Sequence, residues 1–248
     1  LCIRECPASI IRSGADGFPE IDVTTSEYCI GCGHCQAVCP CDALTLNNIA
    51  PSSLQKAKNE NLAWPVIEGL IKSRRSIRNF TKKPVAPELL DKLFDLTRWA
   101  PTGGNSQLVK WLLIEKESTI MKICSAVADW ARTNDTFKHI ADAWDNGQDM
   151  ILRNAPQLVI AYSGNGYGST SMDCLIAATT FDLAAQSQGV GSCWAGFFLI
   201  ACAQGYKPLI DLLELPAEHR VYAALMIGYS PYTFNRVPQR KEISLIKR

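Results

Sequence analysis

Apolar residues recur at helical spacing in residues 63–73, where Val66, Ile67, Leu70 and Ile71 share one face. Pro87 opens a second such run with Leu89, Leu90, Leu93 and Leu96. Short apolar runs at 111–114, 158–162 and 221–227 read as strands. Residues 171–188 are apolar or small almost all round, and Gly189 follows as a C′ residue. A helix of that kind is central in a core or buried between subunits. Its neighbourhood agrees, since residues 154–206 carry only two charges, Asp173 and Asp182. The uncharged run 183–206 is long enough to raise a membrane span, but Gln186, Ser187, Gln188, Gly189, Gly191, Ser192 and Gly196 interrupt it, so it reads as buried core. Helices alternate with strands, which predicts an α+β or α/β class around one sheet.

The front of the chain follows another logic. Seven of eleven cysteines lie in the first 41 residues, which implies two modules. Residues 47–61 turn polar, with Pro51, Ser52 and Ser53, and the expected division is a module over 1–48, a linker over 49–62 and a second module over 63–248. Net charge is +1, so no global field draws the chain to nucleic acid or a membrane surface. The odd cysteine count, the tight C-x-x-C spacings and the lack of a secretory signal point to a reducing cytoplasm. The first methionine is Met121, which places the native start upstream of Leu1.

Cys29, Cys32, Cys35 and Cys39-Pro40 spell C-x2-C-x2-C-x3-C-P, a spacing that wraps a cubane and aims the fourth cysteine elsewhere. Structural zinc knuckles sit farther apart, and a disulfide framework does not crowd four cysteines into eleven residues. An offset of 33 residues lays Cys2-x3-Cys6-Pro7 over Cys35-x3-Cys39-Pro40. Extended backward, the repeat places two further cysteines two and five positions before Leu1. This front end resembles a bacterial two-cluster 4Fe-4S ferredoxin. The resemblance implies that Cys29, Cys32, Cys35 and Cys6 hold one cluster, and that Cys39 and Cys2 serve a second if the upstream cysteines are present. Cys41 reads as a small buried side chain, with a substitute ligand as the alternative. His34 reads as an exposed loop histidine, and His139 and His219 form no metal spacing.

Residues 72–83 hold six positive charges and no negative one, including Arg74, Arg75 and Arg78 around Ser76. Convergent guanidiniums and a hydroxyl suit one phosphate; the bland alternative is a solvated basic helix end. Aromatic platforms for a nucleic-acid groove are absent. The segment Trp99-Ala-Pro101-Thr102-Gly103-Gly104-Asn105-Ser106-Gln107 offers close backbone approach and amides that can read a heterocycle edge, or is a plain helix-ending turn. Gly189-Val-Gly191-Ser-Cys193-Trp194-Ala195-Gly196 and a terminal basic group around Arg240 and Lys241 complete the set.

In this order the four motifs closely resemble the nitroreductase family of FMN enzymes, over residues 63–248. The resemblance implies an α+β fold with a mainly antiparallel sheet flanked by helices, as an intertwined homodimer with FMN at the interface. It places Arg74, Arg75, Ser76 and Arg78 on the flavin from one subunit, with Arg240 or Lys241 helping. Pro101, Thr102, Gly103 and Asn105 would come from the other. The backbone of Cys193, Trp194, Ala195 and Gly196 would face the ring, with an amide at Ala195 or Gly196 bonding N5. Cys193 has no histidine placed to activate it and reads as a wall residue. The expected protein passes electrons between 4Fe-4S clusters and FMN to reduce a nitroaromatic, quinone or activated alkene. No protein acid or base is assigned, because the flavin carries the chemistry. A redox sensor or carrier without turnover, and a reductive dehalogenase of the same fold, are the alternatives. The donor, ferredoxin or NAD(P)H, stays open because no dinucleotide fingerprint is present.

Overall fold

The structure is a computed structural model that describes residues 1–58, 61–164 and 170–248. It divides into two compact units, Leu1–Asn61 with Gly103–Gln107, and Leu62–Thr102 with Leu108–Arg248. Asn59 and Glu60, inside the expected linker, lie outside the described residues.

The first unit contains α1 (Cys2–Glu5), the hairpin β1 (Ile11–Ser13) and β2 (Pro19–Ile21), and α2 (His34–Ala37). The hairpin turns where the Asp16 carboxylate accepts the Phe18 amide at 3.0 Å. Arg12 ties it down, bonding Glu20 and Asp22, each at 3.1 Å. Its core is small: Cys2, Ile10 and Ile11 are buried, with Cys6, Ala8, Cys35, Val38 and Leu44 packed against them. So little apolar burial calls for a further staple such as metal ligation.

In the second unit four antiparallel strands run in the order β3 (Lys110–Ile114), β4 (Gln157–Ser163), β6 (Arg220–Gly228), β5 (Gly191–Trp194). Strand side chains alternate between faces, and the two faces carry two different cores. Ile114, Leu158, Ile160, Ala224 and Met226 point to one side, against α5 (Glu117–Arg132), α6 (Lys138–Asp145), α8 (Gly196–Ala203) and α9 (Lys207–Leu212). Val159, Ala161, Ala223, Leu225 and Ile227 point to the other, against α4 (Pro87–Thr97) and α7 (Thr170–Ser187). A strand covered on both faces has no polar alternation, which is why β4 and β6 read as unbroken apolar runs.

The helix expected over 171–188 is α7, ended by Gly189 at φ +73°. One face, with Cys174, Ala178, Phe181 and Ala185, is buried on the sheet, while Met172, Leu175 and Ile176 on the other are exposed. The helix expected over 63–73 is α3 (Trp64–Ser73), which has no buried residue. The run 183–206 is divided among α7, β5 and α8, and among the described residues no helix is long and apolar enough to cross a membrane. Two smaller expectations fail. Cys41 is exposed rather than buried, because the chain turns at the surface directly after Pro40. His34 is exposed as expected, but it opens α2 instead of lying in a loop, and its Nδ1 is 3.1 Å from Glu5.

Candidate functional site

In the first unit, Cys6, Cys29, Cys32 and Cys35 line one small pocket of about 30 Å³, walled otherwise by apolar residues such as Ile10, Ile11, Ile30 and Leu46. The short spacing closes on itself because Gly31 and Gly33 take left-handed conformations at φ +63° and +74°, which cost a glycine nothing. Burial pushes the Cys35 thiol above its usual range, and the neighbouring thiols of Cys32, Cys29 and Cys6 oppose its ionisation further. Four converging thiols in an apolar wall are the donor set a 4Fe-4S cluster takes. Among the described residues no three His, Cys, Asp or Glu side chains gather into a single-ion site. Cys2 and Cys39 lie outside this pocket. Cys2 is buried in the small core, whereas the Cys39 sulfur accepts the Ala43 amide at 3.3 Å and is held below its usual pKa by backbone amides.

In the second unit the basic segment runs beside β5. Ser76 bridges Ser192 in parallel fashion, and the Ile77 amide donates to the Ser192 carbonyl at 2.8 Å. This pairing brings Arg78 alongside the end of β5. Arg78, Cys193, Trp194 and Gly196 line an open cavity of about 200 Å³, together with Met150, Ile151, Arg153, Phe197, Ile200 and Met226. Nothing lies within 4 Å of where a Gly196 Cβ would stand, so the backbone there faces open space that a flat ligand can fill. The Ala195 amide donates to the Ala224 carbonyl at 3.0 Å and is taken by the sheet. Of the two amides expected to face a flavin, that leaves Gly196, whose N–H opens α8 without an intrahelical acceptor. Burial raises the Cys193 thiol; Arg78, Arg153 and a hydrogen bond from Ser76 pull the other way without prevailing. A thiol held neutral is a wall and not a nucleophile. Cys174 and Cys202 are likewise pushed up to about 12, both chiefly by burial.

Other expected residues stand elsewhere. Arg75 and Ser76 are half-buried beside Arg74 and do not line the cavity. Gly103 and Asn105 belong to the first unit, where the Asn105 amide donates to the Ile30 carbonyl at 3.0 Å. Pro101 and Thr102 end the preceding stretch of the second unit. Arg240 and Lys241 are exposed in a C-terminal segment without regular structure.

Sequence reasoning passed over two residues here. Arg153 lines the cavity, and Asp182, one of the two charges in 154–206, is buried on α7. Asp182 accepts the Ser192 hydroxyl and pairs with Arg74 at 3.5 Å, tying α7 to both β5 and the basic segment. The Asp182 side chain is 6% exposed and that of Arg74 26%, so the two partners are not equivalent. Arg74→Ala strands a buried carboxylate and should cost about 2–4 kcal/mol. Asp182→Asn keeps an acceptor for Ser192 and leaves a guanidinium that water reaches, at a cost of about 1 kcal/mol. Urea unfolding of the two variants checks this; equal losses would show that the pair is solvated from both sides.

A nitroreductase family profile matches residues 71–229, well over half of the chain, and a 4Fe-4S binding domain profile matches residues 23–45. An FMN reductase [NAD(P)H] of Bacillus subtilis is 28% identical over 160 residues, covering 62% of each chain. An iodotyrosine deiodinase of Thermotoga neapolitana is 24% identical over 185 residues, 70% of this chain and 94% of its own. Among solved structures, a nitroreductase with bound FMN from Bacteroides fragilis superposes with a TM-score of 0.63 at 22% identity, over 73% of this chain and 98% of its own. The antiparallel sheet between helical layers is therefore the fold expected from the sequence. The chain belongs to the nitroreductase family of oxidoreductases, and it carries a 4Fe-4S binding motif in its first 45 residues.

Proposed function

We propose that the chain is an FMN-dependent oxidoreductase with a ferredoxin-type module over 1–48, a linker over 49–62 and a flavin module over 63–248. The observation that carries the flavin half is the cavity where Arg78, Cys193, Trp194 and Gly196 meet around open space. In this reading Arg74, Arg75 and Ser76 hold the phosphate, Arg78 reaches the ribityl and pyrimidine side, and the Gly196 amide addresses the ring edge. Cys193 stays neutral and shapes the wall. FMN, when bound, exchanges single electrons with an iron-sulfur centre and electron pairs with an electrophilic acceptor such as a nitroaromatic, quinone or activated alkene. Cys6, Cys29, Cys32 and Cys35 hold that centre; Cys2 and Cys39 are the candidates for a second one. The donor is ferredoxin or NAD(P)H. The FMN reductase among the relatives and the FMN bound in the solved Bacteroides fragilis nitroreductase support the cofactor.

The working form in this reading is a homodimer. Met172, Leu175 and Ile176 on α7, Trp64, Val66 and Ile71 on α3, and Phe234, Val237, Ile243 and Ile246 in the terminal segment are exposed, a load of apolar surface that subunit burial relieves. Pro101, Thr102, Gly103 and Asn105 do not line their own chain's cavity, which fits donation to the partner's flavin.

The test is cofactor content followed by turnover. Purified protein should release one FMN per chain on denaturation and contain iron with acid-labile sulfide. It should elute as a dimer and reduce nitroaromatics and quinones with reduced ferredoxin, NADH or NADPH as donor. No released flavin would defeat the reading. The deiodinase relative gives reductive dehalogenation as the second reading, and halide release from a halophenol measures it.

A further inference from the structure

The Arg153 guanidinium lines the same cavity as Arg78 but comes from a different element, the turn that leads into β4. That turn is built around one carboxylate. Asp149 Oδ1 accepts the amides of Ile151 at 2.8 Å and Leu152 at 2.9 Å, and Oδ2 accepts that of Asn154 at 2.7 Å. Held this way, Arg153 and Asn154 both take left-handed conformations, φ +57° and +54°, which cost side-chain-bearing residues on the order of 1 kcal/mol each. Strain of this kind persists where the surroundings over-determine it, and the residue that bears it here lines the cavity.

Among the described residues neither Arg78 nor Arg153 forms an ion pair with a carboxylate. Both residues line the cavity together with Cys193, and their charges work against the rise of its thiol pKa. The remaining lining is Met150, Ile151, Trp194, Phe197, Ile200 and Met226. Two unpaired guanidiniums on an apolar and aromatic lining fit a ligand with an anionic group on a flat apolar body.

We propose that Arg153 is a specificity residue that selects acceptors bearing a carboxylate on an aromatic ring. The proposal rests on the reading of this cavity as the flavin and acceptor site. In that reading Arg74, Arg75 and Ser76 serve the flavin phosphate and Arg78 its ribityl and pyrimidine side, which leaves Arg153 as the guanidinium for the acceptor. A charge-assisted bond from guanidinium to carboxylate contributes about 1.5–3 kcal/mol, roughly a tenfold to hundredfold preference.

The experiment compares 4-nitrobenzoate with nitrobenzene as acceptors for the parent and for Arg153→Gln. The ratio of their kcat/KM values should fall at least tenfold in the variant, carried by KM for the carboxylate. Calorimetric titration with benzoate should show one site per chain, weakened at least tenfold in Arg153→Gln and partly restored in Arg153→Lys, which keeps the charge but loses the fork. Benzoate that does not bind the parent, or binds Arg153→Gln as tightly, overturns the proposal. So does a parallel fall in both acceptors or a loss of flavin from the variant, either of which assigns Arg153 to the flavin. A parent that holds no flavin yet binds benzoate through Arg153 would overturn the flavin reading and leave the anion site standing.

Discussion

Truncating Phe181 to alanine should lower the stability of the second unit by about 3–5 kcal/mol, the range for removing a buried phenyl ring from a tight core. Phe181 is fully buried on α7. Its ring lies 5.2 Å from Phe94 of α4 and 5.9 Å from Trp111 of β3, and those two are 5.5 Å apart. The trio is the junction of α4, α7 and the sheet, so the space cannot close without moving a whole helix. At about 2–4 °C per kcal/mol for a domain of this size, the midpoint of thermal unfolding should drop by roughly 6–20 °C. Phe181→Leu, which keeps most of the volume, should cost about 1.5 kcal/mol. Because Asp182 is the next residue, the alanine variant should also loosen the Arg74 tether and hold flavin less tightly. A Phe181→Ala loss below about 1 kcal/mol would mean that α7 and α4 close up on each other without the ring.

How far such features were legible depends on what each residue packs against. Strands β4 and β6 were readable because both faces are buried and the sequence has no choice but to be apolar throughout. β5 was not. Its four residues Gly191, Ser192, Cys193 and Trp194 pair along β6, and α8 starts only two residues after it ends, so the stretch shows neither a period of two nor one of 3.6. The glycine-rich motif marks a site without marking its secondary structure. The Cys29-to-Cys39 spacing was legible because ligand geometry is local in sequence, and Cys6 joined it only through the repeat. Arg153 and Asp182 carry no local pattern. One is aimed by a turn around Asp149, the other pairs with a residue more than a hundred positions away, and both facts are tertiary. A charge isolated in an apolar stretch was the available signal for Asp182, since such a charge must find a partner. Nothing comparable singled out Arg153. Cys41 was misplaced because small thiols are usually buried, and here the chain turn after Pro40 outweighed that tendency.

Replacing Cys32 by alanine should separate the two cofactor sites. Cys32 lies between Gly31 and Gly33, in the middle of the wrap, and lines the pocket with Cys6, Cys29 and Cys35. Three thiols cannot complete the four-thiolate donor set, so iron and acid-labile sulfide should fall sharply. Among its described residues the first unit buries three apolar side chains in its core, and without its staple it should become the part most open to proteolysis, cut ahead of the sheet unit. The residues that line the cavity at Arg78, Cys193 and Gly196 all belong to the second unit, and the substitution leaves Gly103 and Asn105 in place, so FMN should stay bound and remain reducible by dithionite. Turnover driven by reduced ferredoxin should nevertheless slow at least tenfold, a rise of about 1.4 kcal/mol or more in the barrier. If electrons enter through the iron-sulfur centre, the loss tracks the donor and not the acceptor, and is the same with nitroaromatic and quinone. A variant that keeps its iron, or that turns over with ferredoxin as fast as the parent, would make the four-cysteine pocket a structural element and remove it from the electron path.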